Sequence, residues 1–397
     1  MDIHNYKRQL ERQTDIIKES KDLLEENKAI ALRFKDHLLS EGIGAPKIVR
    51  YLIDIRKLNS MLRKPFGEAN KEDIRQVVAE MEQTDLAPQT KKGFKIMLRK
   101  LYRFLRGIDE KGVYPEEVKW ISIAIPKNQN KVPEELLTEE EMKEIIRCCG
   151  NVRDKALISS LAESGCRVSE IGTLKIKHVT FEEYGARLTV QGKTGMRRIL
   201  IINSTPYLQE WINQHPKNNN PEAYLWYNPQ NKELLTYARI TAILKGAAHR
   251  AEIKKRIYPH LLRHSRATIL ASTMTEASMK QYLGWGQDSK MCATYIHLNG
   301  QSTDEAILRA SGIEVKKEKK DSQLKPLPCL RCKTINEATN KFCKLCGLVL
   351  DKGEAHRLIQ EELEKKSFDS KEKEYLEMFL SLKKEIECLK KKNILRQ

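Results

Sequence analysis

The spacing of four cysteines constrains this chain more tightly than any other feature. Cys329, Cys332, Cys343 and Cys346 form a C-x2-C-x10-C-x2-C array. Two short loops of this kind bring four sulfurs around one ion, at Zn–S distances of about 2.3 Å. Pro328 before the first cysteine and Gly347 after the last supply the tight turns such knuckles need. The chain has nine cysteines, an odd number, and the other five (Cys148, Cys149, Cys166, Cys292 and Cys388) show no pairing spacing. Met1 to Ser20 contains no apolar core of a secretion signal, so reduced thiols are expected and metal binding is favoured over disulfides. Four cysteine ligands leave no open position, so the expected Zn2+, one per chain, is structural rather than catalytic.

The rest of the chain divides around that module. At 397 residues it is long for one domain. Residues 1–18 are polar and read as an arm. Residues 19–125 are helical throughout, with segments at Lys21–Ser40, Pro46–Arg63, Lys71–Gln83 and Gln89–Arg106 separated by glycine and proline. Phe94, Leu98, Leu101 and Leu105 form a buried stripe. Residues 126–137 read as a linker, and a second domain, 138–312, opens on the capping box Thr138-x-x-Glu141. Within it, Leu188/Val190 and Ile199/Ile201 flank the turn Gly192–Gly195 of a hairpin spanning Gly185–Asn203, and helical pattern returns from Leu235 to Ala310. A charged linker, 313–326, leads to the cysteine module, 327–352. In the last segment, 354–397, Tyr375, Phe379, Leu382, Ile386, Leu389 and Asn393 fit heptad positions, which suits either a short coiled coil or one amphipathic helix docked on the body.

Charge narrows the class of partner. Lysine plus arginine is 72 against 54 acidic residues, a net charge of +18. No run approaches the roughly 18 apolar residues of a membrane span, so a cytoplasmic protein with a polyanionic partner is expected. The excess is spread over all modules, as a clamp closing on a duplex needs. It is densest in Lys91–Arg106, where Lys91, Lys92, Lys95, Arg99, Lys100, Arg103 and Arg106 stand with no acid among them. Lys91, Lys92, Lys95, Arg99 and Arg103 are the expected DNA contacts.

The second domain carries the chemistry. Arg167, Lys193, His260, Arg263, Trp285 and Tyr295 are two guanidiniums, an amine, an imidazole, an indole N–H and a phenol, a set suited to phosphoryl transfer. Guanidinium forks match phosphate oxygens, a phenol serves as nucleophile when a neighbour takes its proton, and a lysine protonates a leaving alkoxide. Each residue alone is ordinarily core or solvated surface; the order and context raise the case.

The local sequences resemble the tyrosine recombinases, or phage integrase family, and look most like archaeal members. The arginine box is Gly165-Cys166-Arg167-Val168-Ser169-Glu170, the hairpin lysine follows in Gly192-Lys193, and the histidine box is His260-Leu261-Leu262-Arg263-His264. Leu283-Gly284-Trp285 and Tyr295-Ile296-His297-Leu298 complete the set. The resemblance covers roughly residues 20–312; the cysteine module, which resembles a zinc ribbon, and the terminal helix lie outside it. Trp285 stands where histidine is commoner, and the ten-residue step from Trp285 to Tyr295 is one longer than in many bacterial members.

The resemblance implies a mainly α fold with a small β-hairpin or sheet in the catalytic domain (α+β), behind a SAM-like core-binding domain. It implies strand cleavage in double-stranded DNA through a 3′-phosphotyrosyl link at Tyr295, with no cofactor for the chemistry. Arg167 and Arg263 would neutralise the transition state, Trp285 would add a donor, His260 would take or position the tyrosine proton, and Lys193 would be the general acid. Glu170 is expected to orient an arginine or to buttress the fold, and His264 and His297 to be structural. A homo-oligomer, a tetramer on paired sites, and a nucleoid-associated location are implied. The added modules favour a mobile-element integrase or a specialised recombinase; a Xer-like resolving enzyme, a type IB topoisomerase and an inactive DNA-binding protein are the alternatives.

Overall fold

The computed structural model describes residues 2–124, 136–228, 233–296, 308, 311–312, 322–351, 353–363, 378 and 381–384. Its contacts divide the chain into two units, Met1–Val132 with Leu235–Ala238, and Pro133–Leu234 with Arg239–Gln397. Most of the two expected linkers and, apart from Leu382, the heptad positions of the terminal segment lie outside the described residues, as does His297. No helix among the described residues is long and apolar enough to cross a membrane.

The first unit is helical: α1 (Tyr6–Glu19), α2 (Glu25–Ser40), α3 (Ala45–Leu62), α4 (Lys71–Gln83), α5 (Pro88–Leu105) and the single turn α6 (Glu116–Lys119). Phe34, Leu52, Ile55, Leu58, Leu98 and Leu101 are fully buried in its core. The stretch read as an arm is mostly α1, which packs on α3 and buries Ile17 in the same core. Its apolar residues are few but share a helical face, so composition alone made it look unattached. Asn27 is buried where α2 meets α3: its amide nitrogen donates to Asn59 Oδ1 (3.0 Å) and Lys64 O (3.1 Å), and its oxygen accepts from the Phe66 N–H (2.8 Å). A buried amide must be paired in this way.

The α5 cations are not a bare face. Lys95 and Lys91 both reach Glu82 carboxylate oxygens, at 2.6 and 3.6 Å. Lys100 pairs with Glu41 (2.6 Å), and the Arg99 guanidinium lies 3.6 Å from the Tyr114 ring centre. Arg103 donates to the carbonyls of Ile108, Asp109 and Glu110. Of the five expected DNA contacts, Lys91 and Lys95 are ion-paired, Arg99 and Arg103 are held by a ring and by carbonyls, and Lys92 has none of these contacts among the described residues. The helix lacks acids, but other elements supply them.

The second unit is built on α8 (Val152–Ser164), buried on nearly every side between α7 (Glu139–Arg147), α10 (Thr205–Asn213) and α12 (Pro259–Ala271). Its buried charged groups are paired. Arg153 donates to Asp154 (2.8 and 2.6 Å) and to Tyr227 O, and Glu163 accepts backbone N–H groups of Ile202, Asn203 and Ser204 at 2.6–2.9 Å. Glu163 thereby anchors the end of an antiparallel sheet of order β1 (Val179–Glu182), β2 (Gly185–Gly192), β3 (Gly195–Ile201). The expected hairpin is β2–β3, with Gly192 opposite Gly195; β1 adds a short outer strand. Ala186, Leu188 and Val190 face Ile201, Ile199 and Arg197 in register, so one arginine joins the apolar face. Thr138 caps α7 through the expected reciprocal box.

Among the described residues the unit also holds α9 (Val168–Gly172), most of α11 (Tyr237–Arg250), α13 (Glu276–Leu283) and α14 (Met291–Ile296). The cysteine module folds on the two-residue strands β4 (Leu327–Pro328) and β5 (Ile335–Asn336). It sits against α10, where Tyr207 Oη meets Thr339 Oγ1 at 3.0 Å and accepts the Thr339 N–H at 3.2 Å.

Candidate active site

Two helix ends and one helix face converge. Gly165 ends α8 in the left-handed region and turns the chain so that Arg167 begins α9. The Arg167 N–H donates to Glu170 Oε2 (2.8 Å) and its Nη1 to Oε1 (2.9 Å). Gly284, at φ 64°, ends α13 and leaves the Leu283 and Gly284 carbonyls unpaired within the helix. Arg263 Nη2 donates to Leu283 O (2.6 Å) and Arg167 Nη2 to Gly284 O (3.1 Å). Arg263 Nη1 also donates to Gly165 O (2.8 Å). The negative end of α13 therefore gathers two cations, and each guanidinium, with five donors, keeps N–H groups for a ligand. Burial, then the charge of Arg167, pulls Arg263 down to about 10, still well above neutral pH, so it stays charged.

Trp285 follows directly and lies 5.5 Å from the Arg263 guanidinium. Its ring stacks on Tyr295 with planes 7° apart and centres 5.6 Å apart. Tyr295 belongs to a buried cluster with Leu270, Met279, Leu283 and Cys292 and is 4% exposed. Its hydroxyl lies 2.5 Å from His264 Nδ1. His260 is exposed, and its ring stands edge-on to that of His264, centres 4.6 Å apart. Burial pushes the Tyr295 phenol up to about 12, with Arg263 pulling it back.

Lys193 is exposed at the hairpin tip, while its neighbour Thr194 donates to Gly284 O at 3.4 Å. The structure thus brings Arg167, Arg263, Trp285 and Tyr295 together, places His260 behind His264, and leaves Lys193 at the rim.

Two contributors escaped the sequence, Arg197 and the role of His264. Arg197 holds Glu170 with both nitrogens (3.0 and 2.8 Å) and donates to Tyr282 O (3.0 Å), linking hairpin, arginine box and α13. Its alternation with Ile199 and Ile201 was the available signal. Glu170, expected to orient an arginine or buttress the fold, holds Arg167 as well as Arg197. His264, expected to be structural, touches the Tyr295 hydroxyl. The junction is tight: a Cβ on Gly284 would lie 2.5 Å from Arg197 Nη1, and one on Gly192 2.3 Å from Glu170 Oε1.

The second cluster is the cysteine module. The sulfurs of Cys329, Cys332, Cys343 and Cys346 all lie within 4.8 Å of one another, a group able to hold a metal ion. Cys329 and Cys346 approach to 3.5 Å, as do Cys332 and Cys343.

The sheet-bearing helical unit with its paired arginines and buried tyrosine has counterparts among known proteins. Residues 135–302 match the phage integrase family. The chain is 32% identical over 191 residues to the tyrosine recombinase XerA of Pyrococcus furiosus, a stretch covering 46% of this chain and 65% of that protein, just under two thirds of its length. It is 26% identical over 294 residues to XerC of Oceanobacillus iheyensis, covering 70% of this chain and 94% of that protein. Among solved structures, the XerH recombinase in a post-cleavage complex with its difH substrate shares the fold at TM-score 0.56 and 19% identity, covering 78% of this chain and 97% of that one. A lambda integrase dimer on a core site does so at TM-score 0.54 and 16% identity, covering 74% of this chain and 80% of that one. Residues 135–302 thus match the phage integrase family, and over the stretches given the chain is similar to tyrosine recombinases.

Proposed function

We propose that Tyr295 cleaves one strand of duplex DNA. Its Oη attacks the scissile phosphorus, a 3′-phosphotyrosyl bond forms, and the bond to the 5′-oxygen breaks. Arg167 and Arg263 neutralise the charge that develops on the phosphoryl oxygens. The Trp285 indole adds an uncharged donor beside Arg263. Lys193, at the hairpin rim, protonates the leaving 5′-oxygen, and His260 assists on the nucleophile's side. Attack by another strand's 5′-hydroxyl reverses the step and exchanges partners. The observation that carries this reading is the convergence of both guanidiniums on the carbonyls that end α13, with Trp285 joining them to Tyr295. On a suicide substrate, Tyr295→Phe is expected to bind DNA and form no covalent adduct; an adduct from that variant would falsify the assignment.

The four cysteines hold one Zn2+ as a structural ion. A tetrahedron with 2.3 Å bonds has sulfur separations of about 3.8 Å, which the 3.5 Å approaches fit. Zinc there would fix the two knuckles and supply no step of the cleavage.

The partner is double-stranded DNA, and the enzyme works as a homo-oligomer in the cytoplasm, on the nucleoid. A lambda integrase is known as a tetramer on a Holliday junction; a tetramer on paired sites is the corresponding reading here. The XerC match runs through most of that protein and leaves about a third of this chain unmatched, with the cysteine module beyond the family match. That addition favours a mobile-element integrase or specialised recombinase over a plain chromosome-dimer resolvase. Cleavage sites mapped on genomic DNA separate the two, since resolution uses one fixed chromosomal site.

A further inference from the structure

The described contact of the Tyr295 hydroxyl is with His264, not His260. Oη lies 2.5 Å from His264 Nδ1, within reach of direct proton transfer. His264 follows Arg263 on α12, so one helix holds both the phosphate clamp and the group at the nucleophile. His260, one turn earlier on the same helix, is exposed and meets the face or edge of His264. The tyrosine is fixed from the other side by Trp285, stacked flat on its ring. Burial raises the phenol to about 12, so near neutral pH it keeps its proton until an acceptor takes it.

We propose that His264 orients Tyr295 and accepts its hydroxyl proton, with His260 buttressing the His264 ring. The inference rests on Tyr295 being the nucleophile. Nδ1 without a hydrogen accepts the hydroxyl's hydrogen bond. As the Oη–P bond forms, the hydroxyl proton passes to Nδ1. As the P–O5′ bond breaks, the 5′-oxygen takes a proton from Lys193. In the reverse step, the incoming 5′-hydroxyl returns its proton to Lys193 and His264 returns one to the departing phenolate.

The test is single-turnover cleavage of a suicide duplex by the full chain, with DNA affinity measured alongside. His264→Ala is expected to bind normally and to cleave about 10²–10⁴-fold more slowly, the usual worth of a general base. Added imidazole should restore part of that rate. The amide of His264→Asn overlays Nδ1, whereas that of His264→Gln overlays Nε2. The asparagine variant should therefore cleave faster than the glutamine variant, and slower than the parent. His260→Ala should lose less than His264→Ala. Rates for His264→Ala within threefold of the parent would overturn the proposal, as would a larger loss at His260 or equal rates for the two amides. Should His264→Ala fail to bind DNA, the asparagine–glutamine comparison decides. An adduct formed by Tyr295→Phe is a separate outcome, and it would remove the nucleophile rather than its base.

Discussion

Glu170 supplies one negative charge to two guanidiniums. Burial pushes its carboxyl up, but Arg197 and Arg167 outweigh this and hold it below the ordinary carboxylate value. A carboxylate with a depressed folded pKa contributes stability above its unfolded pKa and loses it as pH falls through the folded one. The junction is therefore expected to hold at neutral pH and to loosen only in acid. Glu170→Gln keeps the shape and removes the charge, leaving Arg197 buried without its counter-ion. Breaking such a pair costs about 3–5 kcal/mol, to be read as a lower urea midpoint at unchanged slope. An unshifted midpoint would show that the carbonyls of Tyr282 and Gly284 suffice. Residue types alone marked Arg167 and Arg263 as clamps. Glu170 holds Arg167 locally, but the other groups that hold the pair, in α13 and β3, lie far along the chain, and no local spacing announces them.

At the scale of elements, periodicity was a sound guide. The segments read at Pro46–Arg63, Lys71–Gln83 and Gln89–Arg106 are α3 to α5 within one residue, and Lys21–Ser40 is α2 apart from a start four residues later. Turn glycines located the hairpin because an alternating apolar face and a Gly192–Gly195 turn are both local properties. The cysteine module is legible for the same reason: its ligands come in two short loops. With zinc bound there, metal analysis should give about one zinc per chain, and Cys329→Ser with Cys332→Ser should bring this to about zero. The module docks on α10 through Tyr207 and Thr339, a contact outside the ion's own shell. The double variant is thus expected to lose protection of residues 327–351 from proteolysis while α8 and α12 stay folded. Full zinc retention in that variant would remove the four-cysteine site.

For the whole molecule, the +18 charge states the kind of partner and little of the geometry. If duplex binding rests on phosphate contacts, affinity falls with salt at a log–log slope near −0.9 per contact. Within α5, Lys92→Ala is expected to reduce that slope by about 1, whereas Lys95→Ala, whose ammonium is held by Glu82, should change it less. Equal effects would mean that the Glu82 pair opens on DNA. The sequence by itself determined the helices, the hairpin, the paired cysteine loops and the residue types of the candidate site. These follow from neighbours along the chain and from side-chain chemistry. Only the tertiary structure decided that α1 joins the helical core, that acids from other elements pair several of the α5 cations, and that the tyrosine hydroxyl meets His264. Each of those depends on which distant groups meet, and the low-dielectric interior then determines which charges and protons they hold.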